Sequence, residues 1–280
     1  SIYISRIYDI LKNKKYTVGP YNKFIIYEPK KRLIVSQNVQ DKIVNHLVAR
    51  YILYPALLPC LLDINVASRK NMGTSKGLEL AQRFHQKCKI KYKNYYVLKC
   101  DISKFFANID HDILKEKLQR RIKDKDALKI VFDIIDSNEE GLFIGSMTSQ
   151  ILAIFYLNDM DHFIKENLKI KYYVRYQDDF LLFHESKDYL KFCLEEIGKF
   201  LDTQKLKLNI KTRIYKSTNN FLFLGRDTNN NYSRYRTVKR KLKSKYFLYK
   251  NHKLSLGSFI SSLRCYEQLC NRNNLFKLKK

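Results

Sequence analysis

The chain has 280 residues, 45% of them apolar, which is enough to bury a sizeable core as one large domain or two to three small ones and excludes a disordered tail. Its 54 Lys and Arg against 27 acids leave a formal charge of +27, and self-repulsion on that scale points to a polyanionic partner. No run of about 18 apolar residues appears and no apolar stretch follows a basic start, so the expectation is a cytoplasmic protein with no membrane partner, opening on Ser1 rather than Met.

Residues 1–36 hold a short helix, the turn Val18-Gly19-Pro20, and two β-rich runs, Lys23–Tyr27 and Arg32–Val35, around Glu28-Pro29-Lys30-Lys31. These read as a hairpin with a basic tip. Between Asp41 and Leu62, Ile43, Val44, Leu47, Val48, Tyr51 and Ile52 recur at steps of three and four, predicting an amphipathic helix that Pro55 and Pro59 then interrupt. Tyr95–Ile102 reads as a strand with Tyr96, Leu98, Cys100 and Ile102 on one face and Lys99 and Asp101 on the other. Asp110 stands as the N-cap of a helix running to about Lys123, and a second helix spans about Ala127 to Asp136.

After the loop Gly141–Gly145, residues 149–168 are predicted as one longer helix. Tyr172–Tyr176 and Phe180–Phe183 are two strands joined tightly through Gln177-Asp178-Asp179. Asp188–Leu201 is helical and Phe221–Leu224 is a strand. From residue 231 the composition changes: the last fifty residues carry fourteen Lys or Arg and one acid, Glu267. The six cysteines, Cys60, Cys88, Cys100, Cys193, Cys265 and Cys270, form no CxxC pair and read as small buried hydrophobes.

Asp178 and Asp179 share a hairpin tip between apolar strands, a costly place for two charges unless a cation neutralises them. An Asp-Asp pair is common in turns, but a third carboxylate, Asp101, ends a separate strand on its polar face. Two such strand ends side by side bring three acids together. Mg²⁺ suits such a set because it takes a few carboxylates and completes its octahedron with waters and phosphates. Two such ions, with Mn²⁺ able to substitute, serve in-line phosphoryl displacement, and the spacing alone leaves nucleotidyl transfer and nuclease hydrolysis both open.

Tyr176-Gln177-Asp178-Asp179 matches the YxDD signature of reverse transcriptases. Asp101-Ile102-Ser103-Lys104-Phe105-Phe106 resembles their first catalytic motif, continuing into Asn108-Ile109-Asp110-His111. The order and spacing resemble that family from about Tyr27 to Gly225. The resemblance implies an α+β right-hand polymerase, with fingers and palm over 1–227 and a basic, mainly helical thumb over 228–280. It implies RNA-directed DNA synthesis from dNTPs, on a template RNA that becomes an RNA/DNA hybrid.

By the same resemblance Asp101 and Asp178 bind both metals, Asp179 supports them, and the Ile102 carbonyl faces the incoming nucleotide. Phe106 stands against the sugar 2′ side. Lys31 and Arg32 lie where the fingers grip the triphosphate, Arg69 lies near template and nucleotide, and Lys211 lies near a lysine that can protonate the leaving pyrophosphate. Phe223-Leu224-Gly225 resembles the primer grip. In the thumb, Arg234, Arg236, Lys239, Arg240, Lys241, Lys243 and Lys245 alternate with Tyr232, Tyr235, Tyr246, Phe247 and Tyr249, a mixture that suits a nucleic-acid backbone.

Intron-type enzymes carry Pro-Gln-Gly and a later Ser-Pro where this chain has Ile144-Gly145 and Ser149-Gln150. That form resembles the enzymes of diversity-generating retroelements, which copy RNA with frequent errors at adenine and work with a basic accessory protein and a structured RNA. Ile144 offers shape where a Gln would offer a hydrogen bond, so weaker discrimination of the nascent pair is expected. A phage-defence or intron-derived reverse transcriptase, an RNA-dependent RNA polymerase and a non-catalytic RNA-binding scaffold are the alternatives. Phe106 speaks against the RNA polymerase, and the presence of all three carboxylates speaks against the scaffold.

Overall fold

The structure, a computed structural model, describes residues 2–26, 32–219, 221–227 and 235–267. Helix α1 (Ile2–Lys12) precedes an antiparallel hairpin of β1 (Asn22–Ile26) and β2 (Arg32–Ser36), as the β-rich runs predict; its tip, with Lys31, lies outside the described residues. Helix α2 (Val39–Val48) is capped by Asn38, whose side chain accepts the Asp41 N–H at 2.8 Å. Contrary to expectation, Pro55 does not break the helical path. The chain passes through a π-helical turn, Ala49–Leu53, and Pro55 then sits in the first turn of α3 (Tyr54–Leu57), where a missing N–H costs nothing; the short 3₁₀ turn Leu58–Cys60 ends the run.

By length and composition Val39–Cys60 would be able to cross a membrane, although no long unbroken apolar run marks it in the sequence. Here Val44, Val48, Leu53 and Leu57 are buried in the larger core, so one face of the segment packs inside the fold while Val39 and Tyr51 stay exposed.

Helix α4 (Thr74–Lys91) was not expected. It leads into β3 (Tyr96–Asp101), then α5 (His111–Arg121), capped by Asp110 as predicted, and α6 (Lys125–Asp136), capped by Asp124. The single helix expected over 149–168 is instead three pieces: α7 (Met147–Tyr156), α8 (Asn158–His162) and a π-helical turn, Phe163–Asn167. The break falls at Leu157, whose ψ of 6° leaves the helical range. Asp161 of α8 then hydrogen-bonds Tyr173 and Arg175 of the next strand. That strand, β4 (Tyr172–Tyr176), is followed by β5 (Asp179–His184), helix α9 (Lys187–Thr203), strand β6 (Arg213–Lys216) and the small hairpin β7 (Leu222–Phe223) and β8 (Arg226–Asp227). Helices α10 (Tyr235–Lys250) and α11 (Leu256–Glu267) come last.

The central sheet runs β4-β5-β3-β6, all neighbours antiparallel. Its side chains alternate between two cores. Leu98, Cys100, Tyr173, Phe180 and Leu182 face the larger one, with α2, α5, α7 and α9, while Val97, Val174, Leu181 and Phe183 face a second one under α4. Burial on both faces is why these strands read as near-continuous apolar runs. Helix α4 supplies Leu78, Ala81, Phe84 and Cys88 to that second core. Gly77 lets it come close: a Cβ there would lie 2.8 Å from Leu224 Cδ1 and 3.0 Å from Val66 Cγ2.

Polar clamps join α2 to α7 and to the segment after α1. Asn45 of α2 accepts hydrogen bonds from the hydroxyls of Ser146 and Thr148 at the start of α7, and donates to Asp41 O at 2.8 Å. Buried Asp41 in turn accepts from the Tyr16 hydroxyl at 2.9 Å and the Gly19 N–H at 3.0 Å. Each buried polar atom named here has its partner, which is the condition for burying it without a net loss. Of the cysteines, Cys88, Cys100 and Cys193 are buried free thiols and Cys60 is half-buried and free. Burial pushes the Cys88 thiol up to about 12 and the Cys193 thiol to about 11, so these are packing groups. The side chain of Cys265 and all of Cys270 lie outside the described residues.

Candidate active site

Strands β4 and β5 pair Tyr176 with Asp179, leaving Gln177 and Asp178 as a two-residue turn. Gln177 has φ 54°, the left-handed region that the first position of a type II′ hairpin turn demands and glycine normally fills. The conformation is held from two sides. Arg175 Nη1 donates to the Gln177 carbonyl at 2.9 Å, and Gln177 Nε2 donates to Ser68 Oγ at 2.9 Å. Ser68 Oγ donates in turn to Gln150 Oε1 at 3.2 Å, so the signature turn, the segment around Ser68 and helix α7 share one chain of hydrogen bonds.

Asp101 closes β3 directly opposite Asp179 in the β3/β5 register. Its carbonyl accepts the Asn209 N–H at 2.7 Å, and the adjoining Ile102 bridges Leu208, so the end of β3 is fixed on its other side as well. Lys99, two residues earlier and therefore on the same face as Asp101, donates to Asp179 Oδ1 at 2.7 Å. Burial raises the Asp179 carboxyl to about 6; Lys99 opposes that rise, while the charges of Asp101 and Asp178 add to it.

Asp101 and Asp179 are thus brought face to face, with Asp178 beside them, but among the described residues no three His, Cys, Asp or Glu side chains form a ready metal-ligating group. Asp179 is turned onto Lys99 instead. The donor chemistry still fits a hard divalent cation: carboxylate oxygens whose mutual repulsion Asp179 already feels. Asp101 and Asp178 are the carboxylates that would hold it.

Phe106 is half-buried in a 3₁₀ turn, Phe105–Asn108, its ring edge-on to Phe105 with centroids 5.6 Å apart. The Phe106 carbonyl accepts the Leu142 N–H at 2.7 Å, docking this turn on the Gly141 loop. Gly141 is required there: φ is 60°, and a Cβ would meet the Ala107 carbonyl oxygen at 2.6 Å. Ile144, in the same loop, is 36% exposed, and Gln150 is exposed on the first turn of α7.

Other expected site residues lie less simply. Arg69 donates through Nη1 to the carbonyls of Leu62 at 2.9 Å and Asn65 at 3.1 Å, and through Nη2 to Asp63 at 3.2 Å. Its guanidinium staples its own loop. Lys211 is exposed in the turn before β6. Arg32 opens β2, with its side chain outside the described residues. The primer-grip resemblance falls on the β7/β8 hairpin, where Leu224 (φ 50°) and Gly225 (φ 79°) make a two-residue turn and Lys99 lies over the Phe223 ring at 5.8 Å. Lys99 therefore touches both a carboxylate and the primer-grip candidate.

In the thumb region, Tyr249 of α10 stacks on Phe259 of α11 with centroids 5.4 Å apart, and Lys245 donates to Ser262 Oγ at 2.9 Å. Lys245 is thus partly committed to the helix pair. Arg240, Lys241 and Lys243 are exposed, with Phe247 66% exposed nearby, and Lys239 is half-buried. Arg236 lies in α10 with its side chain outside the described residues, and Arg234 lies wholly outside them.

Lys99, Arg175, Asp161 and Ser68 were not singled out from the sequence. The signal for Arg175 was present: a lone cation in the apolar run Tyr172–Tyr176 has to find a buried partner.

An antiparallel sheet with two carboxylates facing each other across adjacent strands, and a third at the adjoining turn, defines the palm of a nucleotidyl-transfer polymerase. The sequence signature described as reverse transcriptase (RNA-dependent DNA polymerase) matches residues 13–227, and the chain belongs to that family. Among solved structures it is similar to telomerase from Candida tropicalis without its C-terminal domain (18% identity, TM-score 0.54, 78% of this chain and 56% of that one). It is also similar to Candida tropicalis telomerase in complex with a TWJ fragment of telomeric RNA (16% identity, TM-score 0.55, 95% and 56%). The corresponding Candida albicans complex aligns at 13% identity and TM-score 0.56, over 99% of this chain and 58% of that one. At these identities the likeness is one of fold, and the chain spans under three-fifths of each of these telomerases. No curated protein sequence matches.

Proposed function

We propose that the chain is an RNA-directed DNA polymerase that copies a template RNA into cDNA from dNTPs, and that it serves a diversity-generating retroelement. The observation that carries the polymerase reading is the β3/β5 register, which sets Asp101 opposite Asp179 with Asp178 at the turn. Two Mg²⁺ ions, or Mn²⁺ in their place, would supply charge stabilisation for an in-line displacement at the nucleotide α-phosphate. Asp101 and Asp178 would hold them, with Asp179 in support and the Ile102 carbonyl facing the nucleotide. Phe106 excludes a 2′-hydroxyl by bulk. Lys31, Arg32 and Arg69 serve the triphosphate and template side, and Lys211 the leaving pyrophosphate. The exposed Arg240, Lys241 and Lys243, with the remaining basic residues of that segment, neutralise the phosphates of the RNA/DNA hybrid.

The retroelement reading rests on Ile144-Gly145 and Ser149-Gln150 and is supported by the exposure of Ile144. Discrimination by shape alone is worth about 1–3 kcal/mol, roughly 10 to 200-fold, so errors are expected at a rate visible in bulk sequencing of the cDNA, concentrated at template adenines. Ile144→Gln is expected to lower the adenine error rate without stopping synthesis. A wild-type product that copies adenines as faithfully as other bases would leave a defence or intron-derived enzyme as the better account. Sequencing the nucleic acid and identifying any basic accessory protein that copurify would then separate those two.

A further inference from the structure

We infer that Arg175, fixed by Asp161, is a positioning residue that sets the peptide plane from which Asp178 is presented. Arg175 and Asp161 both have fully buried side chains, and Arg175 is the largest such side chain among the described residues. Its guanidinium donates four hydrogen bonds. Nε donates to Asp161 Oδ1 at 2.7 Å and Nη2 to Asp161 Oδ2 at 2.5 Å; Nη2 also donates to the Ile154 carbonyl at 3.1 Å, and Nη1 to the Gln177 carbonyl at 2.9 Å. Tyr173 completes the set by donating its hydroxyl to Asp161 Oδ1 at 2.6 Å.

Stability does not account for this arrangement. Removing two charges from water is costly, and well-packed apolar residues of similar volume usually serve as well or better. The fork does something an apolar pair cannot: it joins α8 through Asp161, α7 through Ile154, and the catalytic turn through Gln177. The Gln177 carbonyl and the Asp178 N–H belong to one planar peptide unit, so fixing the carbonyl direction fixes the start of Asp178. Gln177 also sits at φ 54°, where a residue with a Cβ is disfavoured and where a turn without a clamp would relax. The backbone of Arg175 is pinned as well: its N–H donates to Ile64 O and its carbonyl accepts from Val66, each at 2.9 Å. The clamp therefore stands on a fixed strand.

This inference rests on the polymerase reading, and its test includes a measurement independent of turnover. The double variant Arg175→Met with Asp161→Leu replaces the pair by apolar groups. It is expected to fold with a cooperative melt near that of wild type, to bind Mn²⁺, read by electron paramagnetic resonance, about tenfold more weakly, and to lose about 10²-fold in kcat, with KM for dNTP changed little, as misplacement by about 1 Å costs. Adding Gln177→Gly, which accepts the left-handed turn without help, is expected to restore part of both losses; a purely structural role would show no such rescue. Arg175→Lys keeps the charge but not the fork, and is expected to show the same defects should the double variant fail to fold. Folded variants with wild-type Mn²⁺ affinity and kcat would overturn the inference. A wild-type chain that binds Mn²⁺ but extends no primer would instead count against the polymerase reading, and the Mn²⁺ comparison would still decide the role of Arg175.

Discussion

The palm turn and the thumb helix pair hold their working groups in opposite ways. Around Asp178 the supports are directional and at least partly buried: the Arg175 fork, the β3/β5 ladder and, on the neighbouring Asp179, the Lys99 contact. On α10 the cations proposed to bind nucleic acid, Arg240, Lys241 and Lys243, stand in water, while Tyr246 and Tyr249 pack on Phe259. Chemistry that requires placement within a fraction of an ångström is built on buried hydrogen bonds, whereas binding a polyanion requires charge density and tolerates mobile side chains.

That contrast is broken or sharpened by substitution on each side. The largest effect is expected in the palm: Asp178→Asn should lower dNTP incorporation by at least about 10³-fold while leaving affinity for RNA nearly intact, measured by primer extension beside filter binding. Phe106→Ala comes next. Opening the space beside the sugar should shift the dNTP-to-rNTP preference by roughly 10 to 200-fold, the range available to a shape filter, and an unchanged ratio would leave Phe106 as packing alone. In the thumb, Arg240→Ala with Lys243→Ala should weaken hybrid binding about tenfold and reduce the slope of log affinity against log salt by about two, with single-turnover chemistry at saturating hybrid unchanged.

The smallest effect concerns stability. Asp179 keeps its proton to about pH 6 in the fold but only to about pH 4 when unfolded, so between those values the native state binds the extra proton. Stability of the metal-free protein should therefore be greatest below about pH 4 as far as this group is concerned, and fall by on the order of 2–3 kcal/mol as pH rises to about 6. Asp179→Asn should flatten that part of the melting-temperature profile.

Much of the palm was legible from sequence because local chemistry and tertiary structure agree there. The alternation in Tyr95–Ile102, the Asp110 cap and the tight hairpin at Gln177-Asp178 are each decided by neighbours in the chain; Asp179, expected in that turn, instead opens β5. Helix α4 escaped notice although Leu78, Ala81, Phe84 and Cys88 fall on one face, since charged residues fill much of the rest of it and its burial depends on a sheet face that appears only after folding. Strand β6 is short and only partly buried, and gains its identity from pairing with β3. Pro55 misled because it falls in the first turn of α3, directly after a π-helical turn, and the break at Leu157 carries no glycine or proline to announce it. Among site residues, the acids were visible as motifs. Lys99, Asp161 and Arg175 act through partners 80 and 14 residues away, pairings that no local pattern displays.

The most direct test is primer extension by the wild-type chain on a primed RNA template with Mg²⁺, supplying dNTPs or rNTPs in turn. The account predicts templated addition of dNTPs, lost on chelating the metal and lost in Asp101→Asn. Template-independent addition, preference for rNTPs, or undiminished synthesis by Asp101→Asn would contradict it.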